Sequence, residues 1–244
     1  MIIAGLQKLT LLDYPGRLAA TVFTPGCNLR CPFCHNSALV EENGSAILSD
    51  GSNINDRIDE AELLDFLKNR FGRLTGVAIT GGEPLMQSDI EDFISEIRTI
   101  GYKVKLDTNG TYPDRLAALL DKGLVDYVAM DIKNSWESYP KTIGVSPEKA
   151  GHIIENCYKS MQLIKNSGIE FEFRTTVVKE LHTKEDIVKI ALAVGPVKHF
   201  FLQNFTDSGA ILKDGYSAYS NAELKEFLAA AQAYSPNAQL RGVD

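Results

Sequence analysis

The sequence predicts an α/β protein built on a parallel sheet, in the form of a partial (β/α)6 TIM-like barrel. Six short apolar runs rich in β-branched or aromatic residues alternate with helical patterns, and the helices between them have well-marked ends. A series of β-α units favours parallel strands joined by right-handed crossovers. Eight such units close a full barrel, so six predict an open one.

The predicted strands cover residues 18–24, 76–80, 103–107, 126–131, 170–177 and 199–204. Helix starts are predicted at capping boxes, in which an N-cap oxygen and an acid three residues later bond free backbone donors. The pairs are Ser88 with Glu91, Thr183 with Asp186 and Ser220 with Glu223, and Asp59 with Glu62 is a related start. Gly101, Gly123 and Gly168 follow three helices, at a position that favours a left-handed residue. The last helix is predicted at about residues 220–234.

Composition and charge limit the classes of function. With 244 residues and 44% hydrophobic content, the chain can bury one substantial core, and we expect a single domain over residues 1–244. The net charge of −7, with scattered Lys and Arg, argues against a nucleic-acid partner. No apolar run reaches the roughly 18 residues of a membrane span, and no targeting segment is visible. We therefore expect a cytoplasmic protein with no membrane partner.

Three cysteines lie close together in the loop 25–36. Cys27, Cys31 and Cys34 form a C-x3-C-x2-C pattern within PGCNLRCPFCHN. Three thiolates can hold three corners of a four-iron cluster and leave one iron open to a substrate or cofactor. A zinc site with His35 as fourth ligand is the less favoured alternative, because common zinc sites pair two separated arms. Cys157 has the helical spacing of a core residue, so we predict that it is not a ligand.

Polar residues follow the predicted strands, where the carboxyl ends of parallel strands share one edge. Gly81 and Gly82 follow the second predicted strand, and without side chains their carbonyls can accept hydrogen bonds from an ammonium group. Asp107 and Asp131 end two neighbouring strands, where carboxylates are costly unless ribose hydroxyls, cations or lysine compensate them. Two solvated strand ends are the structural alternative. The pattern indicates a ligand site on this edge.

The cysteine motif, with Phe33 before its last cysteine and with GGEP after a later strand, resembles the signature of radical S-adenosylmethionine (SAM) enzymes. The resemblance implies a barrel of the radical SAM type, one 4Fe-4S cluster on the three cysteines, and SAM as the second cofactor. It places the cofactor-binding residues at Phe33, His35, Gly81, Gly82, Glu83, Asp107, Thr108, Asp131, Ile132, Lys133 and His182.

The segments DTNG, MDIK and VVKELHTKED resemble the pyruvate formate-lyase activating enzyme branch, whose members activate glycyl radical enzymes. This resemblance implies that Lys133 and His182 contact SAM. It also implies that Asp107, Thr108, Met130 and Asp131 house a monovalent cation. The sequence departs from the branch at Lys179 and Glu180, where a Pro-Gly pair often precedes the histidine.

The opening LTLLDYPGRLAATVFTPGCNLRCPFCHN is similar to the activating proteins of anaerobic ribonucleoside-triphosphate reductase. The implied reaction is reductive cleavage of SAM to a radical that takes hydrogen from a glycine of the partner reductase, with a flavodoxin- or ferredoxin-type electron donor. A radical SAM enzyme for a small molecule or another peptide is an alternative, as is a non-catalytic iron-sulfur or zinc protein. The stretches 43–56 and 206–220 are expected to be partner surfaces.

Overall fold

The fold is an open barrel whose eight described strands stand side by side in chain order. The computed structural model describes residues 1–40, 57–207, 209 and 211–242, so the stretch 43–56 proposed as a partner surface lies outside the described residues. The strands are β1 (Gly5–Thr10), β2 (Ala19–Thr24), β3 (Gly76–Gly81), β4 (Lys103–Thr108), β5 (Tyr127–Asp131), β6 (Glu170–Val177), β7 (Phe200–Asn204) and β8 (Ala238–Arg241). β1 runs antiparallel to β2, and all the other pairs are parallel.

All six predicted strands are confirmed as β2 to β7, but the two edge strands were missed. β1 has three consecutive exposed residues, Lys8 among them, so its side chains do not alternate between apolar and polar. β8 has only four residues. Neither segment carries the strongly apolar pattern of a strand covered on both faces.

The described helices are α1 (Glu60–Arg70), α2 (Ile90–Ile100), α3 (Pro113–Asp121), α4 (Tyr139–Ile143), α5 (Pro147–Asn166), α6 (Lys184–Val194) and α7 (Asn221–Gln232). The capping boxes at Thr183 and Ser220 are confirmed, and Asp59 caps α1 through the Ala61 amide. Gly101, Gly123 and Gly168 all have positive φ.

The box predicted at Ser88 is wrong. The N-cap of α2 is Asp89, and no side-chain cap bond forms there. A short 3-10 helix, Pro84–Met86, precedes this point, and the Ile90 amide donates to the Gln87 carbonyl at 3.3 Å. This turn gives the Ile90 amide a backbone acceptor, so that amide does not need a capping side chain. The helix therefore begins one residue later than predicted.

The strands bury two different faces. Val104, Leu106 and Met130 belong to the main apolar core, together with helix residues such as Phe93. The alternate positions of the same strands point into the barrel, where Tyr127 and Ala129 pack with Tyr14 and Ala19. The interior is therefore not uniformly apolar, since Lys105, Asp107, Glu172 and Arg174 share this inner face and form ion pairs there. Within the described residues, no helix is both long and apolar enough to cross a membrane.

Candidate active site

A cavity of about 270 Å³ lies at the carboxyl ends of the parallel strands. Eleven of the residues singled out from the sequence line it: Cys27, Cys31, Phe33, Cys34, His35, Gly81, Gly82, Asp107, Thr108, Asp131 and Lys133. The carboxyl ends of β3, β4 and β5 and the loops after β2, β3 and β5 thus bring these residues to one place, as expected for the carboxyl edge of a parallel barrel.

The cysteine loop is held by backbone hydrogen bonds to neighbouring segments. The Cys27 amide donates to the Val40 carbonyl at 3.0 Å, and the Arg30 amide donates to the Ile143 carbonyl at 2.9 Å. Burial raises the pKa of Cys27 to about 11 and the pKa of Cys31 to about 12. These free thiols are therefore protonated at neutral pH, and a metal centre reverses this because a coordinating thiol gives up its proton.

The donor set fits a cluster better than a single ion. In the described part of the chain, no group of three or more His, Cys, Asp or Glu side chains is placed to hold one metal ion. A 4Fe-4S cluster binds each thiolate to a different iron, so its ligands need not converge on one point. His35 stacks on Phe205 with ring centroids 5.6 Å apart, and Cys157 is not part of the cavity lining. Three cavity-facing thiols match the three occupied corners of an open cluster.

The two glycines after β3 allow the cysteine loop to approach. A Cβ atom on Gly82 would lie 2.0 Å from the Gly26 carbonyl oxygen, and one on Gly81 would lie 2.3 Å from the Thr24 carbonyl oxygen. Gly81 also has a φ of 124°, which side-chain residues rarely adopt. Any other residue here would push the cysteine loop away from the cavity. The Gly81 carbonyl accepts a hydrogen bond from Asn36 Nδ2 at 3.3 Å.

Glu83 was expected to contact SAM, but the structure places its carboxylate under the loops instead of in the cavity lining. Oε1 accepts from Thr108 Oγ1 at 2.8 Å, and Oε2 accepts from the Asn109 amide at 2.6 Å. Full burial raises the pKa of this carboxyl to about 7. Glu83 therefore ties the loop after β3 to the loop after β4.

Five charged residues form what we call the upper ion-pair group: Lys105, Asp107, Asp131, Lys133 and Arg174. Arg174 lies between the acids, with Nε 2.8 Å from Asp131 Oδ1 and Nη1 3.1 Å from Asp107 Oδ2. Lys133 Nζ is 2.8 Å from Asp131 Oδ2, and Lys105 pairs with Asp107. Burial alone would raise the pKa of Asp131, but Arg174 and Lys133 outweigh it and hold that pKa well below its usual range.

The expected monovalent cation is not supported by this geometry. Each of Asp107 and Asp131 already has two cationic partners from the protein, and Arg174 lies between them. Met130 packs in the core, where a Cβ atom on Gly110 would lie 2.2 Å from its Cε. A built-in guanidinium thus supplies the positive charge that the resemblance assigned to an ion.

His182 and Ile132 were also expected in the SAM site, and both are buried outside the cavity lining. Because the Val178 amide can only donate, His182 Nδ1 accepts its hydrogen bond at 3.1 Å, and Nε2 donates to the Lys133 carbonyl at 2.8 Å. Burial lowers the pKa of His182, which keeps this neutral tautomer. His182 therefore positions the backbone of Lys133.

Arg174 and Lys105 are the members of this group that sequence reasoning missed. Arg174 stands in EFEFRTTV and Lys105 in KVKLDT, where charged and apolar residues alternate within strands that helices cover. That alternation was the available signal, because a charge inside a covered strand must face the barrel interior and find a partner there.

Comparisons with known proteins agree with this geometry. The sequence profile of the Radical SAM superfamily matches residues 21–201. A Methanocaldococcus jannaschii protein, named as a glycyl-radical enzyme activating enzyme, is 29% identical over 100% of this chain and 97% of its own length. The 7-carboxy-7-deazaguanine synthase of Methanopyrus kandleri is 33% identical over 73% of this chain and 81% of its own length.

Among solved structures, Streptococcus suis SuiB bound to S-adenosylmethionine aligns with a TM-score of 0.65 at 15% identity. The alignment covers 91% of this chain but only 52% of SuiB, so the chain spans about half the length of that protein. This likeness concerns the fold. The profile match over residues 21–201, most of the chain, shows that the chain belongs to the radical SAM superfamily.

Proposed function

We propose that this protein is an activating enzyme that generates a glycyl radical on a partner enzyme, with anaerobic ribonucleoside-triphosphate reductase as the partner. The observation that carries the proposal is the convergence on one cavity of three thiols, two glycines and every member of the upper ion-pair group except Lys105. A flavodoxin- or ferredoxin-type protein supplies the electron. The same cavity contains donors for a metal cluster and charged groups for an amino acid ligand.

Membership of the superfamily implies a 4Fe-4S cluster and SAM, and the residues present fit both. Cys27, Cys31 and Cys34 hold the cluster, and the Gly81 carbonyl accepts from the SAM ammonium group. Arg174 and Lys133 are the cations that line the cavity, so they bind the SAM carboxylate. When bound, the two cofactors supply a carbon radical that abstracts hydrogen, and the protein orients them and excludes water.

Two observations favour an activating enzyme within the superfamily. The relative named as a glycyl-radical enzyme activating enzyme matches along nearly its whole length, so the two chains correspond from end to end. The described barrel is open, with edge strands β1 and β8, so one side can admit a glycine-bearing loop. A backbone Cα–H needs such access because no substrate side chain can extend into the cavity in its place.

The test begins with the protein reconstituted anaerobically, reduced, and mixed with SAM and an anaerobic ribonucleotide reductase. We expect a glycyl radical signal in electron paramagnetic resonance, and deuterium should move from α-deuterated glycine into 5′-deoxyadenosine. Cys31→Ala should lose the cluster and the activity, whereas Cys157→Ala is the matched control that keeps the cluster. Cluster-loaded, reduced protein that never consumes SAM would instead indicate a non-catalytic iron-sulfur protein.

A radical SAM reaction on a small molecule is the second candidate, and the 33% identity to 7-carboxy-7-deazaguanine synthase favours it. That relative and this chain share most of their length, and the cavity residues alone do not set the substrate. Protein that cleaves SAM, leaves every glycyl radical enzyme of its host unmodified and moves deuterium from a deuterated small metabolite into 5′-deoxyadenosine would establish this candidate.

A further inference from the structure

The loop after β4 is fixed from behind by one helix. Three side chains of α5 donate to three successive carbonyls of residues 109–111. Cys157 Sγ donates to the Asn109 carbonyl at 3.4 Å, Ser160 Oγ to the Gly110 carbonyl at 2.7 Å, and Asn156 Nδ2 to the Thr111 carbonyl at 3.0 Å. The Asn109 amide is bound on the other side by Glu83. The backbone of Asn109 is thus held at both its N–H and its C=O.

The side chain of Asn109 is oriented by a closed ring of hydrogen bonds. Its Oδ1 accepts from Thr111 Oγ1 at 2.7 Å and from the Thr111 amide at 3.0 Å. Asn28 Nδ2 donates to Thr111 Oγ1 at 2.9 Å, and Asn109 Nδ2 donates to Asn28 Oδ1 at 3.0 Å. Because a backbone N–H can only donate, the Asn109 oxygen must face Thr111. The nitrogen therefore faces the cysteine loop.

An amide nitrogen has two protons, and the ring uses one of them. Asn109 Nδ2 lies 3.8 Å from Cys27 Sγ, so its second N–H is directed at that sulfur. Cys27 Sγ also accepts a hydrogen bond from the Leu29 amide of its own loop, at 3.5 Å. Leu29 belongs to the cysteine loop itself, whereas Asn109 stands in the loop after β4. The Asn109 donor therefore reaches the sulfur through the tertiary fold and not through the local turn.

We propose that Asn109 is a positioning residue that donates a hydrogen bond to the Cys27 sulfur and raises the reduction potential of the cluster. Hydrogen bonds to the sulfurs set the potential of iron-sulfur centres, because a donor stabilises the more negative, reduced state. Asn109 is only 6% exposed, which leaves the bond little weakened by water. The inference rests on the cluster that superfamily membership implies, and it is independent of the partner enzyme.

The test uses the anaerobically reconstituted protein without SAM or partner. A potentiometric titration followed by electron paramagnetic resonance compares wild type with Asn109→Ala at equal iron content. We expect a more negative midpoint in Asn109→Ala, on the order of a tenfold lower ratio of reduced to oxidised cluster at fixed potential, which is about 59 mV for one electron. An unchanged midpoint overturns the proposal.

Thr111→Val is the matched control, because it removes the ring hydroxyl but leaves the Asn109 amide beside the sulfur. Its midpoint should stay near that of wild type, and a shift as large as in Asn109→Ala would mean that loop order matters instead of the donor. If Asn109→Ala fails to bind iron, the hydrogen bond can be tested in wild-type protein whose asparagine side-chain amides are labelled with 15N. Pulsed spectroscopy of the reduced cluster should show a 15N coupling, and its absence overturns the proposal.

Discussion

Two cavities lie at opposite ends of the barrel, and both are lined by charged residues. The upper one is lined by the thiols and by the upper ion-pair group except Lys105, whereas the lower one is larger, about 470 Å³, and is lined by Tyr127, Glu172 and Arg241 among others. We call these three residues the lower ion-pair group. Glu172 is 1% exposed, Arg241 approaches it with two nitrogens at 2.9 Å each, and Tyr127 donates to it at 3.0 Å.

The two ends differ in whether their charged side chains face a cavity that could hold a ligand. At the lower end, Glu172 has protein donors on both oxygens, Glu170 pairs with Lys198, and Asp126 pairs with Lys103. At the upper end, Arg174 and Lys133 face a cavity that the three thiols of the cysteine loop also line. Cavity size and buried charge therefore do not identify the site, and the lower end of such barrels ordinarily serves stability.

The largest effect is expected from Arg174→Met, which should damage both binding and stability. The substitution leaves two partly buried carboxylates with one lysine partner each, so we expect a loss of about 3 kcal/mol of unfolding free energy, the lower end of the cost of breaking buried pairs. SAM affinity should fall roughly 100-fold, since a charge-assisted contact to the SAM carboxylate of about 2–3 kcal/mol is lost. Urea unfolding and equilibrium SAM binding to cluster-loaded protein measure the two effects.

The double variant Arg174→Met/Asp131→Asn separates those effects. The second substitution removes the carboxylate of Asp131, which has lost its Arg174 partner. Part of the unfolding free energy should therefore return, while SAM affinity stays low. If binding recovers together with stability, Arg174 serves the fold alone, and the distinction between the two ends of the barrel fails.

Arg241→Met should destabilise the protein without affecting SAM. Glu172 loses its bidentate partner but keeps Tyr127, and Arg241 is partly exposed, so we expect a loss of about 2–3 kcal/mol in unfolding free energy. SAM affinity should stay within about twofold of wild type, because the Arg241 side chain bonds to Glu172 and not to a residue that lines the upper cavity. A large loss of affinity would show that the lower group belongs to the site.

The loss of unfolding free energy in Arg241→Met should also depend on pH. Burial raises the pKa of Glu172, but the Arg241 hydrogen bonds and the charges of Arg174 and Arg241 together outweigh it and lower that pKa below the ordinary 4.5. The native protein then binds fewer protons than the unfolded chain, so this stabilisation is present above pH 4.5 and is lost as pH falls through the lowered pKa. The difference from wild type should shrink in urea unfolding at acidic pH.

Lys133→Met should weaken SAM binding with little change in stability. Asp131 keeps its bond to Arg174, and the lost contact to SAM is a single ammonium, so we expect roughly tenfold weaker binding. Lys105→Met is the matched control, since Lys105 pairs with Asp107 but does not line the cavity. It should lower stability and preserve SAM affinity, and the opposite pattern would contradict the assignment.

Sequence patterns were sufficient for the parallel strands and for the meeting of the thiols with Gly81, Asp107 and Lys133, because strand ends in a parallel barrel converge on one edge. They could not decide which way a polar side chain on that edge points. Glu83 and His182 stand in the loops that were expected to bind SAM, yet both turn inward and hold neighbouring loops.

Contacts between distant strands were also beyond sequence reasoning. Arg174 meets Asp107 and Asp131 because β6, β5 and β4 are neighbours in the sheet, and the chain separation of Arg174 from Asp107 gives no sign of this. The monovalent cation was predicted because the motif that carries Asp107 and Asp131 was considered without the arginine that neutralises it.

The smallest effect is expected from substitutions in two capping boxes that have the same hydrogen-bond pattern. Thr183 and Asp186 cap α6, and Asp186 Oδ1 also accepts from Ser135 Oγ in the loop that follows Lys133. Ser220 and Glu223 cap α7 on an exposed surface. Thr183→Ala should lower the unfolding free energy by about 1 kcal/mol, and Ser220→Ala by less.

Only the box that is joined to the site should affect binding. Thr183→Ala loosens Asp186 and through it the Lys133 loop, so SAM affinity should fall two- to threefold, or about 0.5 kcal/mol. Burial would raise the pKa of Asp186, yet its hydrogen bonds lower it to about 2, so its stabilisation is present above pH 3.8 and is lost as pH falls toward 2. Stability curves for Asp186→Asn should therefore approach wild type in that range. Equal effects of both boxes on SAM affinity would mean that α6 acts only through general stability.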